Sequence, residues 1–209
     1  MSYIENIYVC LAAPLLLAIL CLKRDGRRAL FFLLAGMTAC LLSAYVSAFF
    51  AGVAGTDLIT ASHEIAPAVE ETVKFLPLLF YLLIFEPKKK KAVTGSLLVA
   101  VGFATFENVC FLTSHDTSDF PSLLIRGFGT GAMHVVCGIV VAVGLFFLWD
   151  QLWLRSVGAL ALLCFVITYH AIFNVFVNQS GLIFWIGSAI PLMTVLLYLL
   201  FFRRRVDLF

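Results

Sequence analysis

Four short patterns able to do chemistry follow one another along the chain, each inside an otherwise apolar run. They are Glu70-Glu71-x-x-Lys74, Phe106-Glu107-Asn108-x-x-Phe111, His134-x-x-x-Gly138 and His170-x-x-x-Asn174. Arg126 lies in such a run as well, and Glu64 stands at the edge of one. A charged side chain at mid-bilayer costs about 2.5–3.5 kcal/mol on insertion scales, so several left unpaired would cost on the order of 10 kcal/mol. Groups like these are kept for a partner, a watery cavity or a task. A carboxylate in a low-dielectric pocket can serve as general base toward water. Histidine can share proton transfer, bind a metal or stabilise an oxyanion, and an Asn174 amide can donate to developing negative charge. Together these fit amide hydrolysis by activated water without a protein nucleophile, since Gly-x-Ser-x-Gly is absent. Structural ion pairing alone, for example Glu70 with Lys74 at i, i+4, leaves Glu107 and both histidines unexplained.

The elements that must position these groups are membrane helices. Of 209 residues, 63% are apolar and only 12% charged, and the mean hydropathy is +1.07. That excludes a disordered chain, a basic nucleic-acid-binding protein and an ordinary soluble domain. Seven runs reach the roughly 20 residues a span needs: Tyr3 to Leu22, Ala29 to Val53, Glu64 to Phe85, Val93 to Leu112, Ser122 to Leu148, Val157 to Val177 and Leu182 to Phe202. The expected fold is an all-α polytopic bundle, with residues 1–209 as a single transmembrane domain. The amino-terminal flank has no Lys or Arg, and the positive cluster Lys23, Arg24, Arg27, Arg28 follows the first run, the reverse of a cleaved signal peptide. Twelve of the 14 basic residues fall in the 23–28 and 88–91 stretches, at Arg155 and at 203–205. With seven spans and the N-terminus outside, all twelve are cytoplasmic, whereas Asp57, His63, His115, Asp116 and Asp119 lie outside. The six cysteines are scattered singly and read as buried small hydrophobes, without a disulfide framework or zinc-knuckle spacing.

At 1.5 Å per residue, Glu70 and Glu71 come out roughly 10 Å below the outer end of their span, Glu107 about 8 Å and His170 about 10 Å. If Arg126 marks the interface, His134 is roughly 12 Å deep. Four helices thus place carboxylates, imidazoles and an amide in one layer of the outer leaflet. Gly127, Gly131, His134 and Gly138, spaced 4, 3 and 4, form one stripe on which a neighbouring helix or a substrate can approach closely.

In order and on successive spans, Glu-Glu-x-x-Lys, Phe-Glu-Asn and His-x-x-x-Gly resemble the PrsW family of bacterial intramembrane proteases. His-x-x-x-Asn on the next span is similar to the last motif of the wider superfamily that includes CaaX-prenyl endopeptidases and CPBP (Abi) proteins. The resemblance covers about residues 64–177. It implies Glu70 as the water-activating residue, with Glu71 supporting geometry or charge. It implies Glu107 and His134 as completing the water or metal site, and His170 and Asn174 as the oxyanion-stabilising pair. It further implies a bacterial inner-membrane protease that cuts a membrane-anchored anti-sigma factor on its extracytoplasmic side. Phe111 departs from the pattern, which often has Tyr there. Lys74 either neutralises the carboxylates or pairs with Glu70, and Arg126 either snorkels to the interface or binds a substrate carboxylate.

Glu70, Glu107, His134 and His170 are the candidate ligands of a zinc ion with one open position. His-Glu-x-x-His is absent, and the sequence reading leans to a metal-free glutamate site. The expected partners are a single-span membrane protein as substrate and the lipid bilayer, with no nucleic acid. A proton- or metal-coupled transporter also uses buried Glu and His, and Pro77 offers it a break in the third span. A non-enzymatic scaffold is a third class.

Overall fold

A computed structural model describes residues 4–85, 89–114, 120–148 and 151–202. Among them there are helices and no strand. The long helices are α1 (Ile4–Cys21), α2 (Arg24–Ala54), α4 (Ala66–Phe85), α5 (Lys89–Ser114), α6 (Phe120–Leu148), α7 (Leu152–Val177) and α8 (Leu182–Leu197). A short α3 (Leu58–Thr60) and a π-turn at Ala61–Ile65 lead into α4, and a second π-turn, Tyr198–Phe202, extends α8. Six of the seven long helices are long and apolar enough to cross a membrane by length and composition. The exception is α4, which has the length but carries Glu70, Glu71 and Lys74. Much of the surface is large exposed hydrophobics, including Leu20, Phe49, Phe80, Phe147 and Leu182, as expected where the solvent is lipid tails.

Local chemistry explains the connections. Gly55 ends α2 in the left-handed region (φ 64°) and its N–H caps the last carbonyls. Two residues on, the Asp57 carboxylate accepts the N–H groups of Ile59 and Thr60 at 2.9 Å each and starts α3. The π-turn follows from Pro67. Proline has no N–H and its ring crowds the carbonyl four residues back, that of His63. The chain widens by one residue there, so that the Ala66 N–H reaches the Ala61 carbonyl. By contrast α4 runs unbroken through Pro77, so the third span lacks the discontinuity a transporter would use.

α2 and α5 make the closest approach in the bundle. A Cβ added at Gly36 would sit 2.1 Å from the Val99 carbonyl oxygen, and one added at Gly102 would sit 2.0 Å from that of Leu33. Only hydrogen fits on either helix, so the two backbones touch. Phe103 and Phe106 of α5 pack with Met37, Ala39 and Cys40 of α2 as one apolar cluster. The glycines expected to pack closely, Gly127 and Gly131 of α6, instead face open space within 4 Å. Only Gly138 of that stripe is in tight contact, 2.9 Å from Ala100 Cβ. The stripe is one helix face, and among the described residues nothing stands within 4 Å of a Cβ placed on its first two glycines.

Arg24, Arg27 and Arg28 belong to the first turns of α2 rather than to a loop. His115, Asp116, Asp119, Lys88 and Arg203 to Arg205 lie outside the described residues. All six cysteines are free thiols. Cys40 and Cys137 are buried, but Cys10, Cys21 and Cys164 are exposed. The thiol is apolar enough to stand on a face turned to lipid, so an apolar surrounding in sequence does not imply burial in the bundle.

Candidate active site

The polar side chains of α4, α5, α6 and α7 meet in one continuous chain of contacts. Lys74 Nζ is its hub: it donates to Glu71 Oε1 at 2.6 Å and to His134 Nδ1 at 2.7 Å. His134 Nε2 lies 2.5 Å from Glu107 Oε2. Since an ammonium has only donors and a carboxylate only acceptors, His134 is the neutral imidazole with its proton on Nε2, given to Glu107. On the other side, His170 Nδ1 donates to Glu71 Oε1 at 2.8 Å. Its Nε2 lies 3.8 Å from Glu70 Oε2. The imidazoles themselves stand edge to face with centroids 5.1 Å apart.

Of the two readings of Lys74, pairing with Glu70 alone does not hold: Lys74 pairs with Glu71, at i, i+3. Both spacings lie on one helix face, and the position of His134 on α6 draws the ammonium toward Glu71. Arg126 is already paired and not free for a substrate carboxylate. Its Nη2 bonds Glu107 Oε1 at 3.3 Å and its guanidinium lies over the Phe111 ring at 3.8 Å. Phe111, at the position where the resembled pattern often has Tyr, supplies an aromatic face to the guanidinium. Asn174 is held apart from the carboxylates: its Nδ2 donates to the Ser62 carbonyl of the π-turn at 2.9 Å.

Burial grades across the site. His134, His170, Glu71 and Lys74 are 0 to 8% exposed. The side chains of Glu70 and Glu107 are 17% and 25% exposed, so the two carboxylates at the ends of the chain are its open members and the middle is closed. Under Lys74 lies a cavity of about 20 Å³ between α4, α5 and α6, lined in part by Ser96, Cys137 and Gly138. It has room for one water. Phe103, overlooked in the sequence, packs against the hub: its ring centroid is 4.6 Å from Lys74 Nζ and 5.0 Å from the His134 ring. Its place four residues before Glu107, on the same helix face, was the available signal. Ser62, His63 and Asn178 were overlooked as well, and Pro67 was the sign that a carbonyl of the π-turn would seek a partner.

Glu70, His134 and His170 each offer a ligand atom, all within 4.8 Å of one another. Three observations bear on whether a metal ion fits. Glu70 Oε2 is buried without a hydrogen-bond partner. It stands 3.8 Å from His170 Nε2, and a proton or a metal ion shared between the two atoms would satisfy both. Finally, three carboxylates against Lys74 and Arg126 leave one negative charge uncompensated when the imidazoles are neutral, which a dication would meet. The third donor is less ready: both ring nitrogens of His134 already have partners, so a cation would take the place of one of them. On balance the donor set fits a divalent ion.

A family model described as PrsW family intramembrane metalloprotease matches residues 26–203 of the chain. The match is wider than the 64–177 core expected from the motifs, and includes α2. Comparisons with curated proteins and with solved structures returned no match.

Proposed function

The chain belongs to the PrsW family of intramembrane proteases, a multi-pass membrane protein, and from that premise we propose that it hydrolyses a peptide bond of a single-span membrane protein near its outer face, with Glu70 activating the water. The observation that carries this reading is the partly exposed Glu70 side chain whose buried, unpartnered Oε2 stands 3.8 Å from His170 Nε2. Glu70 takes a proton from water as the oxygen adds to the scissile carbonyl carbon. The proton passes to the amide nitrogen as the C–N bond breaks, leaving a carboxylate and an amine. Glu71 holds His170, and Lys74 neutralises Glu71 while holding His134. Glu107, backed by Arg126, orients His134 from its other nitrogen. Asn174 is the amide placed to donate to the carbonyl oxygen as charge develops there.

The family description implies a metal, and Glu70, His134 and His170 would hold it, with zinc the ion suited to imidazole and carboxylate donors. When bound, it would supply Lewis acidity toward water and the scissile carbonyl. A carboxylate has two oxygens, so Glu70 can hold a cation with one and accept a proton with the other. Family membership thus favours a metal over the metal-free site toward which the sequence leans.

The open space over Gly127 and Gly131, on the His134 side of α6, supports the approach of an extended substrate segment. Seven spans with the N-terminus outside remain the orientation that places the twelve basic residues in the cytoplasm, and they put the Glu70 end of the site outward. An anti-sigma factor on the extracytoplasmic side fits as substrate class. The test is co-expression with a tagged single-span membrane protein. His170→Ala is expected to abolish cleavage while the protein accumulates, and the fragment mass is expected to map the cut to the outer end of the substrate span. Cleavage at the cytoplasmic end would overturn the orientation; full activity of His170→Ala would overturn the site.

A further inference from the structure

His170, Asn174 and Asn178 follow one another at four-residue spacing and share one face of α7. Each meets the α4 side of the molecule at a different height. His170 holds Glu71, Asn174 Nδ2 donates to the Ser62 carbonyl at 2.9 Å, and Asn178 Nδ2 lies 2.5 Å from His63 Nε2. The Ser62 carbonyl is open to Asn174 for a reason written in the sequence. In a π-turn the carbonyl of residue i takes the N–H of residue i+5, as Ala61 takes that of Ala66. The corresponding donor for Ser62 would be residue 67, a proline with no N–H. One main-chain carbonyl is thereby left over, and a main-chain carbonyl away from water needs a partner.

A peptide carbonyl held by the Asn174 amide, one turn along α7 from His170, is also how the proteolytic reading above would hold the substrate. We propose that the Ser62 carbonyl and the Asn174 amide are a subsite for extended peptide backbone, closed on itself in this state. A frayed substrate segment displaces Ser62 and puts its own carbonyl on Asn174 Nδ2, with its N–H groups meeting the freed Ser62 oxygen. The Asn178–His63 bond, on the exposed outer side, is the clasp that releases first. Recognition at this subsite is by main chain, so it selects unfolded segments rather than particular side chains. It rests on the protease reading, and a helical span satisfies its own amides and cannot use it until its end frays.

The test is steady-state kinetics of the purified full chain in lipid with a single-span substrate. Asn178→Ala removes the clasp and touches none of the carboxylates. Releasing one hydrogen bond that holds the site shut is expected to lower KM about 3- to 10-fold with kcat unchanged. An unchanged or higher KM would overturn the proposal. Asn174→Ala is expected to raise KM several-fold, since the bound carbonyl loses its donor, and to lower kcat about 100-fold where that carbonyl is the scissile one; an unchanged kcat/KM would also count against it. A second readout needs no cleavage. Ser62→Cys keeps the main-chain carbonyl, and its maleimide labelling, mapped by peptide mass, is expected to speed up several-fold in the Asn178→Ala background. It is expected to speed up likewise when a peptide of the substrate's juxtamembrane sequence is added to Glu70→Gln protein. Labelling indifferent to both would overturn the subsite even if cleavage is robust. Faster labelling in a protein that cleaves nothing would instead count against the protease reading alone.

Discussion

Two seams run through this bundle, and they are built on opposite principles. Between α2 and α5 the backbones touch at Gly36 and Gly102, with buried Phe103, Phe106 and Met37 around them. Between the π-turn with α4 on one side and α7 with its cap on the other, the contacts at the site are hydrogen bonds: His170 with Glu71, Asn174 with the Ser62 carbonyl and Asn178 with His63. A backbone-to-backbone contact has one geometry and no way to exchange partners. A hydrogen-bonded seam can trade a protein partner for water or for a peptide at little net change. The first seam therefore fixes where α5 holds Glu107 and Phe103. The second is where something can enter.

The largest effect is expected from breaking the first seam. Gly36→Val or Gly102→Val places carbon atoms where a backbone carbonyl already stands, within 2.1 Å. Folded protein is expected to fall below about a tenth of wild type, measured as membrane accumulation, because overpacking against backbone has no rotamer to relieve it. Gly127→Ala, which faces open space, is the matched control and is expected to accumulate normally. Normal accumulation of Gly36→Val would show the seam to be looser than described.

The next effect comes from the hub of the polar chain. Lys74→Met leaves the buried Glu71 carboxylate without its ammonium, and breaking one partner of a buried pair costs about 3–5 kcal/mol. Thermal unfolding of the purified protein should show it. Changing Glu71 to Gln in the same chain is expected to restore part of the loss, since the stranded charge is then gone. Equal or greater destabilisation in the double variant would mean that Lys74 acts by packing on Phe103 instead. Smaller still, and on activity alone, is the effect of filling the groove on α6. Gly127→Leu with Gly131→Leu is expected to lower cleavage about 10-fold, or 1.4 kcal/mol of transition-state access, with the unfolding temperature nearly unchanged.

Asp57 gives the smallest effect. The Thr60 N–H and hydroxyl, with the Ile59 N–H, hold its carboxyl below the usual carboxylate range. A folded-state pKa lowered in this way adds stability above the ordinary pKa, and the contribution is lost as pH falls through the lowered one. Asp57→Ala is expected to be slightly less stable than wild type at pH 7, with the difference shrinking below about pH 4. A difference that grows in acid would show that the carboxylate is not the cap.

The sequence made the spans legible because a bilayer demands long apolar runs, and it made the site legible because Glu70, Glu107, His134 and His170 stand out in such runs. What it hid is whatever depends on how the helices are rotated about their axes. Glu70 and Glu71 are equivalent neighbours of Lys74 until the place of His134 is known. Gly127 and Gly36 look alike in sequence, yet one faces open space and the other a carbonyl. Arg126 finds Glu107 because α5 and α6 lie side by side, a relation that neither motif encodes. Pro67 did carry a local signal, for the π-turn and its leftover carbonyl, but its outcome needed Asn174 on another helix.

The most direct test of the account is the cleavage rate of purified Glu70→Gln beside wild type, at equal amounts of folded protein and with the same tagged single-span substrate. Gln keeps the shape and removes the proton acceptor, so the account predicts a loss of at least about 100-fold with the fold intact. Cleavage at the wild-type rate would contradict it, because Glu70 is the partly exposed carboxylate in the chain of contacts with an unpartnered oxygen facing His170.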